Sequence, residues 1–193
     1  MPRRRPGPAG PLSATLSARF HKQTVRDALV DGARVLVRVD FNVPLEGEGE
    51  DRRVADDQRI RASLETIAYL RERGARLVLV SHLGRPEGRD PALSMAPVRA
   101  RLAELLDAPV GLAPEVVGPD AERMAAALEP GGVLLLENSR YEPGETGNDL
   151  GLARRLARLG EVYVDDAFGA SHRAHASTAG VATFLPGYAG FLL

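Results

Sequence analysis

The sequence predicts an α/β fold, specifically a doubly wound, Rossmann-like parallel sheet with helices on both faces in a three-layer α/β/α arrangement. Short apolar runs rich in β-branched residues alternate with segments of helical periodicity, which is typical of this class. Polar clusters follow directly after four of the apolar runs, where open α/β sheets present their ligand-binding groups. A chain of 193 residues is long enough for one well-packed domain.

The composition excludes several classes of protein. The chain has no cysteine, which rules out disulfides and thiolate metal sites. Its net charge of −1 argues against nucleic-acid binding driven by phosphate neutralisation. No segment approaches the roughly 18 apolar residues of a membrane span. Because 24 of the 25 basic residues are arginine, any anion site must rely on guanidinium groups, which bind planar oxyanions with two parallel hydrogen bonds.

Residues 1–20 are rich in proline, glycine, serine and arginine and contain no acidic residue. This composition predicts a disordered extension or a misplaced start, and it also resembles an organelle transit peptide. The segment is therefore set apart from the domain predicted over residues 21–193.

The first predicted strand, residues 35–39, is apolar and β-branched and reads as buried on both faces. It ends in Asp40 and Asn42 and is stopped by Pro44, which cannot extend a central strand. Asp56 or Asp57 then caps a helix with apolar positions at 60, 64, 67 and 68, and a glycine at position 74 ends it.

The next elements repeat this order. A strand over residues 77–81 runs into His82 and Arg85, and Pro97 opens a helix that is apolar at 98, 102, 105 and 106. A short strand is predicted at 110–112 and a short helix at 121–128. A strand at 133–136 then leads into Asn138 and Arg140.

The last part of the chain holds one more helix and strand. Asn148 or Asp149 caps a helix reaching residue 159, and a strand at 162–164 runs into Asp165 and Asp166, with Arg173 shortly after. Residues 178–193 are apolar and glycine-rich, and no element is predicted there. Arg154, at a polar position of the helix, is expected to be solvated together with residues 155 and 158.

The polar clusters define a candidate site. In a parallel sheet the ends of all four strands lie on one edge, so four loops would deliver arginines, histidines and short polar groups to one crevice, and Arg59 could reach it from the first helix. This predicts a pocket for a small phosphorylated or carboxylated anion. Singly, each arginine could be an ordinary surface ion pair, and Asp40 could simply cap a turn.

Two other kinds of site are disfavoured. His172 and His175 are spaced as a metal pair could be, but no third ligand accompanies them, so no metal site is predicted and a phosphate-facing or structural role is favoured. Neither GxxxxGK[ST] nor GxGxxG after a strand is present, so no nucleotide site is expected in this chain.

Five motifs in this order closely resemble the phosphoglycerate kinase family: RVDFNVP (38–44), DDQRI (56–60), SHLGRP (81–86), LENSRY (136–141) and DDAFGASHRAH (165–175). The resemblance implies reversible phosphoryl transfer between 1,3-bisphosphoglycerate and ADP, giving 3-phosphoglycerate and ATP. It covers only the N-terminal, phosphoglycerate-binding domain of that family. It therefore implies that Mg-ATP or Mg-ADP binds a C-terminal domain absent from this sequence, and that this chain binds no cofactor.

The resemblance also implies the roles of individual residues. Arg59 would be the catalytic arginine and would also contact the substrate, Asp40 and Asn42 would take the hydroxyl and carboxylate end, and His172 would lie nearby in support. The substrate-binding set it implies is Asp40, Phe41, Asn42, Arg59, His82, Leu83, Gly84, Arg85, Arg140 and Arg173. Asp165 departs from the asparagine usual in the family, which is expected either to weaken anion binding modestly or to be absorbed in a salt bridge.

The family resemblance leaves two hypotheses for the chain itself. It is either the N-terminal domain of a phosphoglycerate kinase, inactive alone, or a non-catalytic anion-binding or regulatory module derived from one. A cytoplasmic location, a monomeric complete enzyme and no membrane or nucleic-acid partner accompany the first hypothesis.

Overall fold

The structure is a computed structural model that describes residues 23–193, so the leader predicted over residues 1–20 lies outside the described part. Its strands and α-helices are, in chain order, β1 (Arg34–Arg38), β2 (Leu45–Glu46), β3 (Arg53–Val54), α1 (Gln58–Ala62), α2 (Leu64–Glu72), β4 (Arg76–Val80), α3 (Ala96–Leu106), β5 (Val110–Leu112), α4 (Pro119–Ala126), β6 (Val133–Leu135), α5 (Leu150–Ala157), β7 (Val162–Asp165) and β8 (Gly187–Ala189).

Six strands form one sheet in the order β5-β6-β4-β1-β7-β8, and every pairing within it is parallel. The sheet grows from β1 in one direction through β4, β6 and β5, and then in the other through β7 and β8. Its carboxyl edge therefore gathers the loops that follow β6, β4, β1 and β7 side by side. The predicted doubly wound parallel sheet is confirmed.

Two hydrophobic cores lie on opposite faces of the sheet, as a three-layer fold requires. Alternate strand residues such as Val35 and Val37 pack with Ile60, Ile67 and the apolar side of α3. The intervening residue Leu36 packs on the other face, among the side chains of α4 and α5. Because β1 and β4 are covered on both faces, their sequences are nearly continuous apolar runs.

Three details of the predicted elements differ from the structure. The single helix predicted to follow Asp56 or Asp57 is broken at Ser63, whose backbone forms a tight turn between α1 and α2. The loop after β1 contains the β2–β3 hairpin, which is anchored because Leu45 and Val54 pack on the core. The glycine-rich segment after residue 178 contributes β8, an edge strand paired with β7, and Ala189 within it is buried.

Among residues 23–193 no helix is both long and apolar enough to cross a bilayer. The same residues contain no group of three histidine or acidic side chains arranged to hold a metal ion.

Candidate functional site

A cleft of about 250 Å³ opens at the carboxyl edge of the sheet, where the loops after β6, β4, β1 and β7 meet. It is lined by Asp40, Asn42, Arg59, His82, Gly84, Arg85, Arg140, Gly169, Ala170, Arg173 and His175. The structure thus brings together eight of the residues predicted from the sequence, contributed by four strand ends and the start of α1. Arg59, Arg85, Arg140 and Arg173 outnumber Asp40, the one acidic residue of this lining, which suits an anionic ligand.

Asp40 and Arg59 form an ion pair across one wall of the cleft. The Asp40 side chain is 13% exposed and that of Arg59 is 53% exposed, so the pair joins a held carboxylate to a guanidinium that remains open to the cleft. Gly169 lies against this pair, since a Cβ placed there would overlap with Asp40 Oδ2. A larger residue at position 169 would therefore have to displace the Asp40 carboxylate from its place in the pair.

Asn42 joins the loop after β1 to the loop after β4. Its Oδ1 accepts a hydrogen bond from the Gly84 N–H at 2.8 Å. Gly84 has φ +60, a left-handed conformation that glycine adopts without strain, and Arg85 follows it directly. The turn therefore places Arg85, which is exposed, at the mouth of the cleft.

Asn138 joins the loop after β4 to the loop after β6. Its Oδ1 accepts from the backbone N–H groups of Leu83 and Arg140 at 3.0 and 3.1 Å, and its Nδ2 donates to the Leu83 carbonyl at 2.7 Å. The Leu83 and Phe41 side chains are buried and do not line the cleft. Both were predicted in the binding set, and the structure gives them a packing position behind it.

Arg85, Arg140 and Arg173 are the free cations of the cleft. Across residues 23–193, none of the three forms a salt bridge with a carboxylate. Burial lowers the pKa of Arg140, and the nearby charges of Arg173 and Arg38 add to that effect, while Glu145 opposes it. Like charges held close together without counter-charges are stabilised when an anion binds between them.

A second, larger cleft of about 670 Å³ lies between the β2–β3 hairpin and α3 and also carries arginines. There Arg61 and Arg101 both pair with Asp57, and Arg101 also pairs with Glu104. The two guanidinium groups lower the pKa of Asp57, so these charges pair with one another, and Arg52 in the same lining donates to the Ala92 carbonyl. Although this cleft is larger, the smaller one is the better candidate for an anion site, because Arg85, Arg140 and Arg173 there form no salt bridge among the described residues.

His82 lies in the wall of the cleft and is 9% exposed. Burial, followed by the charges of Arg38 and Arg140, lowers its pKa to about 3. At neutral pH His82 is therefore an uncharged imidazole that can still donate one hydrogen bond.

Arg38 escaped the sequence-based prediction of the site, whereas His175 was predicted to have a phosphate-facing or structural role. Arg38 is fully buried and contacts the ring of His82, and His175 lines the cleft. A charged residue between two valines in a buried strand was the available signal for Arg38. His172, which was predicted to lie nearby, is exposed and accepts a hydrogen bond from Arg173 Nε at 3.3 Å, so it contacts a cleft residue without lining the cleft.

Asp165, the last residue of β7, and Asp166 do not line this cleft. Asp165 Oδ1 accepts from the Ala167 N–H at 3.0 Å and therefore holds the turn that leads to Gly169. Asp166 is fully buried and accepts from Thr66 Oγ1 at 2.8 Å and from the Leu192 N–H at 3.2 Å. The presence of aspartate at position 165, where the family usually has asparagine, thus adds no charge to the lining of the candidate anion site.

Comparison with known proteins identifies one family. A sequence model of the phosphoglycerate kinase family matches residues 25–193. A phosphoglycerate kinase from Herpetosiphon aurantiacus is 55% identical over 175 residues, and one from Moorella thermoacetica is 57% identical over 173 residues. These alignments cover 90% and 89% of this chain.

Solved structures agree with the sequence comparisons. The phosphoglycerate kinase of Coxiella burnetii superposes with a TM-score of 0.76 at 36% identity over 89% of this chain, and that of Pyrococcus horikoshii superposes with 0.79 at 30% identity over 88%. The chain spans 44% and 43% of the two curated relatives and 42% of each solved chain. The match is thus to less than half of each of these proteins.

Proposed function

Because the chain belongs to the phosphoglycerate kinase family, we propose that the cleft at the carboxyl edge of its sheet is the phosphoglycerate site of a glycolytic kinase. The reaction would be the reversible transfer of a phosphoryl group from 1,3-bisphosphoglycerate to ADP, giving 3-phosphoglycerate and ATP. One observation carries the proposal: three arginines with no carboxylate partner among the described residues surround a cleft that also presents Asp40 and Asn42.

The chemistry of 3-phosphoglycerate fits the two sides of this cleft. Its phosphate would lie among Arg85, Arg140 and Arg173, with His82 as a neutral donor, because guanidinium groups bind phosphate oxygens in pairs. Its hydroxyl and carboxylate end would lie toward Asp40 and Asn42, where the Asp40 carboxylate can accept a hydrogen bond from the hydroxyl and the Asn42 side-chain N–H can donate one to an oxygen of the ligand. Phe41, Leu83 and Gly84 would shape this end through their backbone, and His172 would support Arg173.

Arg59 is the catalytic residue in this proposal. Its side chain is about half exposed and paired on one side with Asp40, so the carboxylate holds the guanidinium at the rim of the cleft. Phosphoryl transfer depends mainly on positioning and on stabilising the charge that spreads over the transferring group. A guanidinium at the rim would supply that charge stabilisation as the phosphoryl group leaves the acyl phosphate.

The nucleotide belongs to the same proposal. The family uses a Mg-nucleotide, and we place its binding outside this domain, in the part of the relatives that this chain does not match. A cytoplasmic location and a monomeric complete enzyme complete the proposal, and both rest on the family.

A calorimetric titration with 3-phosphoglycerate tests the site. The chain should bind it saturably, and Arg140→Ala should weaken binding by roughly 10- to 100-fold, because one hydrogen-bonded charge contact contributes about 1.5–3 kcal/mol. Arg123→Ala is the matched control, since Arg123 is exposed on α4 and pairs with Asp120. Absence of saturable binding at millimolar ligand in the folded chain, or equal losses in both variants, would overturn the assignment.

A further inference from the structure

Arg38 is a fully buried guanidinium directly behind the cleft. It ends β1, its Nε donates to Ser177 Oγ at 2.9 Å, and a second nitrogen lies 3.1 Å from His82 Nδ1. Its third nitrogen donates to the backbone carbonyl of Val39. All three nitrogens therefore have partners, which fixes the plane of the guanidinium against the imidazole.

This contact determines where the proton of His82 lies. A guanidinium carries only donors and does not lose its proton in proteins, so its hydrogen bond with Nδ1 requires Nδ1 to be the acceptor. A neutral imidazole with an accepting Nδ1 carries its proton on Nε2. Nε2 is then the one nitrogen of the ring left for the cleft that His82 lines.

The charges around the ring keep it neutral. Arg38, Arg140, Arg173 and His175 all act to lower its proton affinity, in addition to its burial. The carboxylates in the neighbourhood are engaged elsewhere, since Asp40 pairs with Arg59 and Glu145 accepts from the N–H of Ser177 at 3.0 Å. No carboxylate among the residues described takes a hydrogen bond from the His82 ring.

Glu145 supplies the negative charge that balances Arg38, with the Ser177 hydroxyl lying between them. It is buried and accepts a hydrogen bond from the Ser177 hydroxyl, whose oxygen in turn accepts one from Arg38. The relay runs from the Glu145 carboxylate through Ser177 and Arg38 to Nδ1 of His82. Arg38 donates both to Ser177, which in turn donates to Glu145, and to Nδ1 of His82, so the tautomer of His82 is set from outside the cleft.

We propose that Arg38 is a positioning residue for the anion site: it holds His82 as the uncharged Nε2–H tautomer, with its donor directed into the cleft. The inference rests on the proposed function, because it names what His82 offers to the phosphate group. It explains how a histidine can serve in this site without making anion binding depend on its own titration. An ordinary histidine titrates near pH 6.5 and would change charge within the physiological range.

Nitrogen-15 NMR of the imidazole rings tests this directly in the unsubstituted chain. His82 should show an unprotonated Nδ1 and a protonated Nε2, with no change between pH 5 and 8, and His82→Gln identifies its signals among the four histidines. A protonated Nδ1, or titration within that range, would overturn the proposal. This spectrum decides the question even if variants of Arg38 do not fold.

The variant Arg38→Met tests whether Arg38 sets the state of His82, because methionine keeps an unbranched apolar side chain at this position and removes every hydrogen-bond donor. In this variant the pKa of the His82 ring should rise, although burial and the charges of Arg140 and Arg173 still act on it. Sulfate affinity should then rise by up to about tenfold as the pH falls toward 5 and the ring begins to gain a charge, since one charged hydrogen bond is worth roughly 1.5 kcal/mol or more. Sulfate is the probe because its own charge is constant over this range. The rise should disappear in Arg38→Met/His82→Gln.

Arg34→Met is the matched control, since Arg34 begins the same strand and pairs with Glu161 instead. It should leave the His82 signals and the pH profile unchanged. An unchanged tautomer and pH profile in Arg38→Met would overturn the role of Arg38. Failure of the unsubstituted chain to bind sulfate or 3-phosphoglycerate would contradict the proposed function, while the NMR result would still decide the positioning role.

Discussion

The pKa values of two buried residues, Asp166 and His82, are shifted in opposite directions by the fold. Asp166 is fully buried, and burial raises its pKa from 3.8 to about 6 despite hydrogen bonds from Thr66 and Leu192. Burial and neighbouring cations instead lower the pKa of His82 from 6.5 to about 3. Each residue is held in the form that carries no charge over part of the acidic range, because desolvation penalises the charged form.

We predict that Asp166→Asn stabilises the protein above pH 6. The folded-state pKa of Asp166 is raised, so the folded state binds more protons than the unfolded state between about pH 4 and 6, and stability falls as pH rises through that window. An uncharged amide avoids this cost and can still accept from Thr66 and Leu192. Urea unfolding at pH 7.5 should show a gain of about 1–3 kcal/mol, since one pKa unit corresponds to about 1.4 kcal/mol.

The comparison must be made between variant and parent at the same pH. His82 has a lowered folded-state pKa, so its contribution is present above about pH 6.5 and is lost as pH falls toward 3, which partly cancels the effect of Asp166 in the parent. The gain from Asp166→Asn should vanish near pH 4. Asp120→Asn, in an exposed ion pair, is the control. A loss of stability at pH 7.5 would contradict the desolvation argument.

The residues of the site were partly predictable from the sequence. Asp40, His82, Arg85, Arg140 and Arg173 follow strand ends, and a parallel sheet brings such positions to one edge whatever the intervening structure. Arg38 was not predictable in the same way, because its role depends on contacts made 44 and 139 residues along the chain. A pattern read along the chain indicates which residues reach an edge, but not which buried groups orient them.

At the scale of elements, the helices and strands that were predicted correctly are those with a clear local sequence pattern. The strand runs and helix periodicities predicted β1, β4, α3 and α5, because those elements are covered by apolar neighbours on the faces that their patterns indicate. The edge strand β8 was missed, since its three residues Gly187–Ala189 owe their conformation to pairing with β7. The break at Ser63 was missed for a different reason, since the helical spacing of apolar residues continues across it.

The start of α5 was left open between Asn148 and Asp149, and the structure selects Asp149. Its carboxylate accepts from the Leu152 N–H at 2.7 Å, whereas Asn148 lies one residue earlier in a left-handed conformation. The helix packs on the segment Ala176–Gly180, which carries Ser177, so its first turn supports the wall behind the cleft. The cap therefore contributes to the stability of an element that the site depends on.

We expect Asp149→Ala to lower the free energy of unfolding by about 1 kcal/mol, which is the usual contribution of a helix N-cap. Chemical denaturation at pH 7.5 measures it. Asp120→Ala is the matched control, since Asp120 lies in the first turn of α4 but does not cap it with its side chain. Equal effects of the two substitutions would show that charge near a helix start, and not the hydrogen bond, is responsible. Asp149→Asn should retain most of the stability.

For the whole molecule, the arrangement of the sheet determines where a ligand can act. The strands β6, β4, β1 and β7 are neighbours, and each contributes one loop to the cleft, while the β2–β3 hairpin, α3 and the larger cleft lie away from it. Hydrogen bonds through Asn42 and Asn138 already connect three of these loops. An anion bound among Arg85, Arg140 and Arg173 would connect the fourth.

We therefore predict that 3-phosphoglycerate slows amide hydrogen exchange in the loops at 82–85, 138–141 and 167–175 together, because a ligand that bridges them opposes the local opening of each. Exchange measured by mass spectrometry with and without ligand should show no change over 45–54 or in α4. The variant Arg140→Ala should lose the protection in all three loops, whereas Arg123→Ala should keep it. Protection confined to residues around Arg61 and Arg101 would instead identify the larger cleft as the anion site. Protection of a single loop would show that the four strand ends do not act as one site, and the cleft would then require a different ligand.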